Sequence, residues 1–321
     1  MLTKDQADQI QDYLSDASYL TGGHATRVVF PESAAEVAEV LRQATETRTP
    51  VTVSGAGTGT VAGRVPFGGL VIATDRLDRI RSVEGAPNQL AVAEAGVRLS
   101  ELQRAVDAEG LLYPPDPTER SCFVGGNIAT NASGARTFKY GPTRNYVERL
   151  QVALAAGEVL DLRRGDLRAG AAGQITIPLP SGKVIEAQLP SYQMPNVRKH
   201  ASGYFVAPEM DLVDLFIGSE GTLGVIVEAD LKLLLKPEGL LSGVVFFDSE
   251  ENLLGFVRAA RTRSLANRGE SSSISDGSPI DARALEYFDD QSLGFLRTKY
   301  DTSSPNSQKP ERKMYGILVT A

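Results

Sequence analysis

The chain has 321 residues, of which 42% are apolar and 23% charged, enough for two domain cores and without the long apolar run that spans a bilayer. A formal net charge of −7 and a pI near 5.1 argue against nucleic acid or an anionic membrane as partner, so an anionic cofactor would have to be held mainly by backbone N–H groups. One cysteine, Cys122, excludes an intrachain disulfide and a cysteine-cluster metal site, and two histidines, His24 and His200, cannot build a histidine-rich one. No metal site is therefore expected.

The opening residues, MLTKDQADQIQDYL, form an amphipathic helix with Ile10, Tyr13 and Leu14 on one face and lack the apolar core of a signal peptide. A cytoplasmic location is expected, at most peripheral to a membrane. The strand-like Arg27 to Phe30 leads through Pro31 into a capping box, Ser33 with Glu36, and a helix whose apolar face is Val37, Val40, Leu41 and Ala44. Pro50 limits that helix to about Arg48.

A β run from Val51 then opens into Ser54-Gly55-Ala56-Gly57-Thr58-Gly59. The strand before it and Asp75, 20 residues beyond Gly55, invite comparison with a dinucleotide-binding βαβ unit. Two features refuse it. Thr60 stands where that motif needs its third glycine, and the following Val61 to Gly69 cannot open a helix. Phosphate would instead meet successive backbone N–H groups in a nest.

Leu90 to Ala95 reads as a strand and Leu99 to Glu109 as a helix with Leu99, Leu102 and Val106 inward. The stretch 114–141 holds three prolines and several glycines, with few signals of regular structure. A loop of that length in a compact domain is expected to wrap a ligand, anchored here by Phe123, Val124, Ile128, Phe138 and Tyr140. Two hairpins follow, 150–162 turning at Ala156-Gly157 and 174–189 turning at Pro180 to Gly182. A short helix over 211–216, a glycine loop over 218–224 and a strand over 225–233 close the first domain, and Lys236 to Gly239 mark the boundary. Early helix–strand alternation with later strand pairs indicates α+β.

Taken in one order, Ser54 to Thr58, Pro114 to Pro117, Val124 to Asn127, Asn131 to Gly134, Lys139 to Gly141 and Gly218 to Gly224 resemble the FAD-binding domain of the p-cresol methylhydroxylase and vanillyl-alcohol oxidase superfamily. Within it the chain is similar to the branch of glycolate oxidase catalytic subunits and D-lactate dehydrogenases. The resemblance implies a two-subdomain FAD-binding domain over 1–237 and, over 238–321, the first part of an α/β substrate domain. It implies pyrophosphate on Ser54, Gly55, Ala56, Gly57, Thr58 and Gly59. The flavin and its ribityl chain would be lined by Pro115, Asp116, Thr118, Ser121, Gly125, Gly126, Asn127, Thr130, Asn131 and Gly134, and the adenosine end would meet Gly224 and Ile226. Relatives that attach FAD covalently use a histidine near the first loop, which has none here, and Cys122 lies one residue away from a second linking position. Noncovalent FAD is expected.

The resemblance implies oxidation of a D-2-hydroxy acid with electrons passing to a quinone or protein acceptor. His200 is the histidine available as base, and Lys199, Arg136, Lys139 and Arg144 are the cations available to a carboxylate or a reduced flavin. Alternative readings are a flavin-binding subunit completed by another chain, or an alcohol, aldonolactone or phenol oxidase of the same superfamily. In the second domain, Leu241 to Phe247 reads as a strand, Glu250 to Arg263 as a helix, and the final strand-like run from Met314 as a strand without a partner. Family members continue beyond this point with further histidines. An unpaired strand implies self-association or a homo- or hetero-oligomeric partner, and little turnover by these residues alone.

Overall fold

The structure, a computed structural model, describes residues 1–197, 199–269, 280–300 and 315–320. It divides into two compact units, Met1–Ser133 with Pro142–Lys236, and Gly134–Gly141 with Pro237–Ala321.

In the first unit, β1 (Leu2–Lys4), α1 (Ala7–Ile10), β2 (Arg27–Phe30), α2 (Ala34–Glu46), β3 (Val51–Ser54) and β4 (Leu70–Ala73) build a four-stranded sheet in the order β1-β2-β4-β3. The β4 strand, Leu-Val-Ile-Ala, is buried along its whole length, as a parallel strand covered on both faces must be. On one face lies α2, whose Ser33 cap accepts a 3.2 Å hydrogen bond from the Glu36 N–H. Its Val37, Val40, Leu41 and Ala44 pack with Leu70 and Ile72 and also with Ala153, Val225 and Val227 from a second sheet. Truncating Leu41 to alanine there would cost about 2–5 kcal/mol. On the other face, Ile10, Tyr13 and Leu14 cover Val28, Phe30 and Val71. The expected N-terminal helix is shorter than its apolar spacing suggests, because α1 gives way to a 3₁₀ turn over Gln11–Tyr13.

The second sheet runs β5-β6-β12-β8-β9, antiparallel throughout, from β5 (Ile80–Glu84), β6 (Leu90–Glu94), β8 (Val147–Ala153), β9 (Val159–Arg163) and β12 (Val225–Lys232). Between β6 and β8 lie α3 (Leu99–Ala108), β7 (Leu111–Leu112), α4 (Val124–Ala129) and α5 (Thr137–Tyr140), the last belonging to the second unit. Beyond β9 come the hairpin β10 (Gln174–Pro178) and β11 (Val184–Gln188), then α6 (Val213–Phe216), with β13 (Leu234–Leu235) following β12 and pairing with β7. Charges tie this sheet across its strands, with Arg149 bonded to Asp161 on β9 and to Glu228 and Asp230 on β12.

The stretch 114–141 is less irregular than its composition implies. The Val124 N–H donates to Val97 O (2.9 Å) and the Gly125 N–H to Ala95 O (2.8 Å), so the first turn of α4 is anchored on the segment leaving β6. A Cβ on Gly125 would lie 2.6 Å from the Ala95 Cβ. Glycine, a poor helix former, is required there because nothing larger fits between helix and strand.

In the second unit, β14 (Ser242–Phe247), α7 (Glu250–Asn267), β15 (Ala284–Phe288), α8 (Asp290–Tyr300) and β16 (Tyr315–Thr320) form a sheet in the order β14-β16-β15. The last strand, expected to be unpaired, sits in the middle and bonds antiparallel to both neighbours, because the pairing is between segments about 30 and 70 residues apart in sequence that local pattern does not connect. The segment carrying α5 is fixed to this unit by the Lys139–Asp281 ion pair (2.5 Å) and by Arg268, which donates to Phe138 O (3.0 Å) and lies over the Phe138 ring.

Candidate functional site

A cavity of about 160 Å³, partly open to solvent, lies within the first unit. No helix intervenes between β3 and β4, so the connection 55–69 runs as open loop and presents backbone to that space. The cavity is lined by Gly55, Ala56, Gly57, Thr58 and Gly59 from this loop. Opposite them stand Gly125, Gly126, Asn127 and Thr130 of α4 and its end, and Gly224 and Ile226 at the start of β12. Eleven positions expected from sequence to touch a dinucleotide thus surround one space.

Two observations show what the space accepts. The Asn127 side chain is buried, 4% exposed, and its Nδ2 has no hydrogen-bond partner among the described residues. A Cβ built on Gly126 meets nothing within 4 Å. An unsatisfied buried donor and an unobstructed glycine beside Val53, Phe123 and Val225 suit a ligand with a flat apolar body and polar edges. FAD has both, and the residues present fit it.

The loop's charge comes from Arg64, which sequence reasoning passed over. Arg64 Nη1 donates to Ser54 Oγ (3.1 Å) and Gly55 O (2.9 Å), Nε to Ser15 O (2.9 Å) and Nη2 to Asp12 O (2.5 Å). Its guanidinium lies over the Tyr13 ring at 5.8 Å, and burial works against its charge, lowering its pKa. The Gly55-to-Asp75 spacing has a different outcome: Asp75 Oδ1 accepts a 2.9 Å bond from the Tyr13 hydroxyl. Only a long-range contact separates that acid from a ribose-binding one.

The remaining expected residues lie elsewhere. Ser54 is fully buried beneath the loop, bonded to Arg64, and Ser121 lines an adjoining cleft with Tyr13, Asp75 and Arg98. Asp116 pairs with Arg120 and accepts from Gln103, while Pro115 O is also in reach of Gln103; neither they nor Thr118 line the cavity. Asn131 is buried and its Oδ1 accepts from the Arg144 N–H, a structural role. Gly134, Arg136 and Lys139 belong to the second unit, where Lys139 pairs with Asp281. Arg144 is engaged by Asp214 and Ile217 O, so it is not free to clamp a carboxylate. His200 is half-buried and Lys199 exposed, and neither lines the cavity. The Cys122 thiol does line it, with burial pushing its pKa up.

Residues 25–163 match the family described as FAD binding domain. Over these residues the chain carries an FAD binding domain. It is 35% identical over 249 residues to a D-lactate dehydrogenase of Anaerostipes hadrus, covering 77% of this chain and 44% of that protein. It is 35% identical over 213 residues to the glycolate oxidase subunit GlcD of Bacillus subtilis, covering 66% and 37%. The chain therefore spans less than half the length of these relatives. A solved alkyldihydroxyacetonephosphate synthase superposes on 99% of this chain and 54% of its own with a TM-score of 0.71 at 16% identity, a likeness of fold. The family resemblance read from the motifs is correct, and so is the α+β class. FAD is the cofactor of this domain. No helix among the described residues is long and apolar enough to cross a membrane.

Proposed function

We propose that the protein carrying this FAD binding domain is an FAD-linked oxidoreductase that oxidises a D-2-hydroxy acid of the D-lactate, glycolate or D-2-hydroxyglutarate type. The observation that carries the reading is the cavity lined by Gly55 to Gly59, α4 and the start of β12, in a chain 35% identical to the D-lactate dehydrogenase and to the glycolate oxidase subunit over the matched residues. Bound FAD supplies the acceptor, at N5, for a hydride from the substrate α-carbon. The chain's own residues bind and orient it. Gly55 to Gly59 would hold the pyrophosphate through backbone N–H groups, Asn127 Nδ2 would donate to a polar edge of the cofactor, and Val53, Phe123, Val225 and Ile226 would exclude water from it.

His200, adjoined by Lys199, is the proposed acceptor of the hydroxyl proton. FAD is held without a covalent link, and the acceptor of its electrons is a quinone or a protein. The holoprotein mixed anaerobically with each hydroxy acid in turn should lose its flavin absorbance near 450 nm with one acid and not with primary alcohols or aldonolactones. Bleaching by an alcohol alone would overturn the substrate class, and His200→Gln should slow bleaching by about 10²- to 10⁴-fold if it takes the proton.

A further inference from the structure

Arg64 is the only cation among the residues lining the cavity, where Asp16 and Glu220 are the carboxylates. Its four hydrogen bonds go to a hydroxyl and three carbonyls, and the carboxylates of Asp16, Asp75 and Asp12 act on it through space without a hydrogen bond. A guanidinium has five N–H donors, and among the described residues four are used. The fifth, on Nη2, is unclaimed beside the Gly57 turn. Here the chain reaches positive φ (+77°), and a Cβ would lie 2.2 Å from the Arg64 Cζ. The absence of a side chain at Gly57 is what lets the guanidinium lie flat against the loop.

We propose that Arg64 is the counter-charge of the cofactor's diphosphate, which rests on the FAD reading above. An acidic chain gains little from holding a dianion by backbone dipoles alone, and a partly desolvated guanidinium within the loop supplies the missing charge at short range. The same side chain fixes the loop beforehand, since its bonds to Asp12 O and Ser15 O fasten the N-terminal segment onto Ser54 and Gly55. Arg64 is a binding and positioning residue, and it touches no reacting atom.

The test is titration of deflavinated protein with FAD, and separately with riboflavin, which lacks phosphate, over a series of NaCl concentrations. Arg64→Gln should weaken FAD by about 10- to 100-fold, leave riboflavin affinity within about twofold, and flatten the salt dependence of FAD binding. Arg64→Lys should keep that salt dependence and recover part of the affinity. Equal losses of FAD and riboflavin in Arg64→Gln with an unchanged salt slope would overturn the proposal in favour of a merely structural arginine, as would unaltered FAD affinity. Should Arg64→Gln not fold, Arg64→Lys decides: a salt dependence of FAD binding lost with lysine, or absent from the wild type, overturns the proposal. Failure of the wild type to take up FAD at any salt would sink the underlying reading with it.

Discussion

Arg144 Nη1 donates a 3.0 Å hydrogen bond to Asp214 Oδ1, joining residues 70 positions apart, and Asp214 also accepts from Arg164 at 2.9 Å. The pair is buried, with side chains 13% and 12% exposed. Arg144 also reaches Ile217 O, and its backbone N–H donates to Asn131. It thereby fastens the end of the α4 segment to the loop that leads into β12, two of the three walls of the cavity.

Removing Arg144 leaves Asp214 with Arg164 as its remaining partner and takes the guanidinium donor away from Ile217 O. Arg144→Met should cost about 1–3 kcal/mol, read as a lowered midpoint in urea unfolding. FAD affinity should fall with it. A midpoint unchanged from the wild type would show that the cavity walls do not depend on this connection.

A second coupling is sensitive to alkali. Burial first, and then the neighbouring Asp75 carboxylate, push the Tyr13 hydroxyl well above its usual range. The fold thus favours the protonated tyrosine, whose contribution is complete below about pH 10, the unfolded value, and is lost as pH rises toward the folded one. Tyr13→Phe should remove one late-ionising tyrosine from a spectrophotometric titration and reduce the fall in stability above pH 10. At pH 7 it should cost about 1–3 kcal/mol, because Asp75 Oδ2 is already without a partner and Oδ1 would join it. A titration curve identical to the wild type would contradict this.

Gly57→Asp should weaken FAD by about two orders of magnitude. The motif alone suggests a carboxylate crowding the phosphate; the structure gives a different first cause. The new Cβ would displace the Arg64 guanidinium from the loop, and the positive φ would strain any residue but glycine. Fluorescence titration measures the loss, and an affinity within twofold of the wild type would separate this loop from the cofactor.

Acid precipitation of the yellow holoprotein should leave free FAD in the supernatant. Cys122 is the cavity's sole thiol, and burial holds it protonated and weakly nucleophilic, while His24 is exposed and bonded to Gly22 O. Flavin that remains with the pellet would show a covalent link.

Local pattern predicted much of this fold. The Ser33 cap and the apolar spacing of α2 are decided within a dozen residues, and both hairpins turn at glycines in the left-handed region, Gly157 and Gly182. Elements fixed by distant partners were illegible. β1 is three residues, Leu-Thr-Lys, that become a strand by pairing with β2. β5, Ile-Arg-Ser-Val-Glu, has weak alternation and is held by β6, and β16 lies between two strands that local pattern does not identify as its neighbours. The same division applies to the site. Glycines and Asn127 announce a cavity by their type, whereas Arg64 looks like any surface arginine until Asp12, Ser15 and Ser54 are folded around it.

The central claim is that FAD occupies the space between the Gly55-to-Gly59 loop, α4 and β12. Gly126→Leu tests it most directly, because a Cβ at this position on the cavity wall meets nothing within 4 Å, and leucine suits a helix better than glycine by about 0.5–1 kcal/mol. The variant should unfold at or above the wild-type midpoint while binding FAD more than about 100-fold more weakly. Wild-type affinity in a stably folded Gly126→Leu protein would contradict the account.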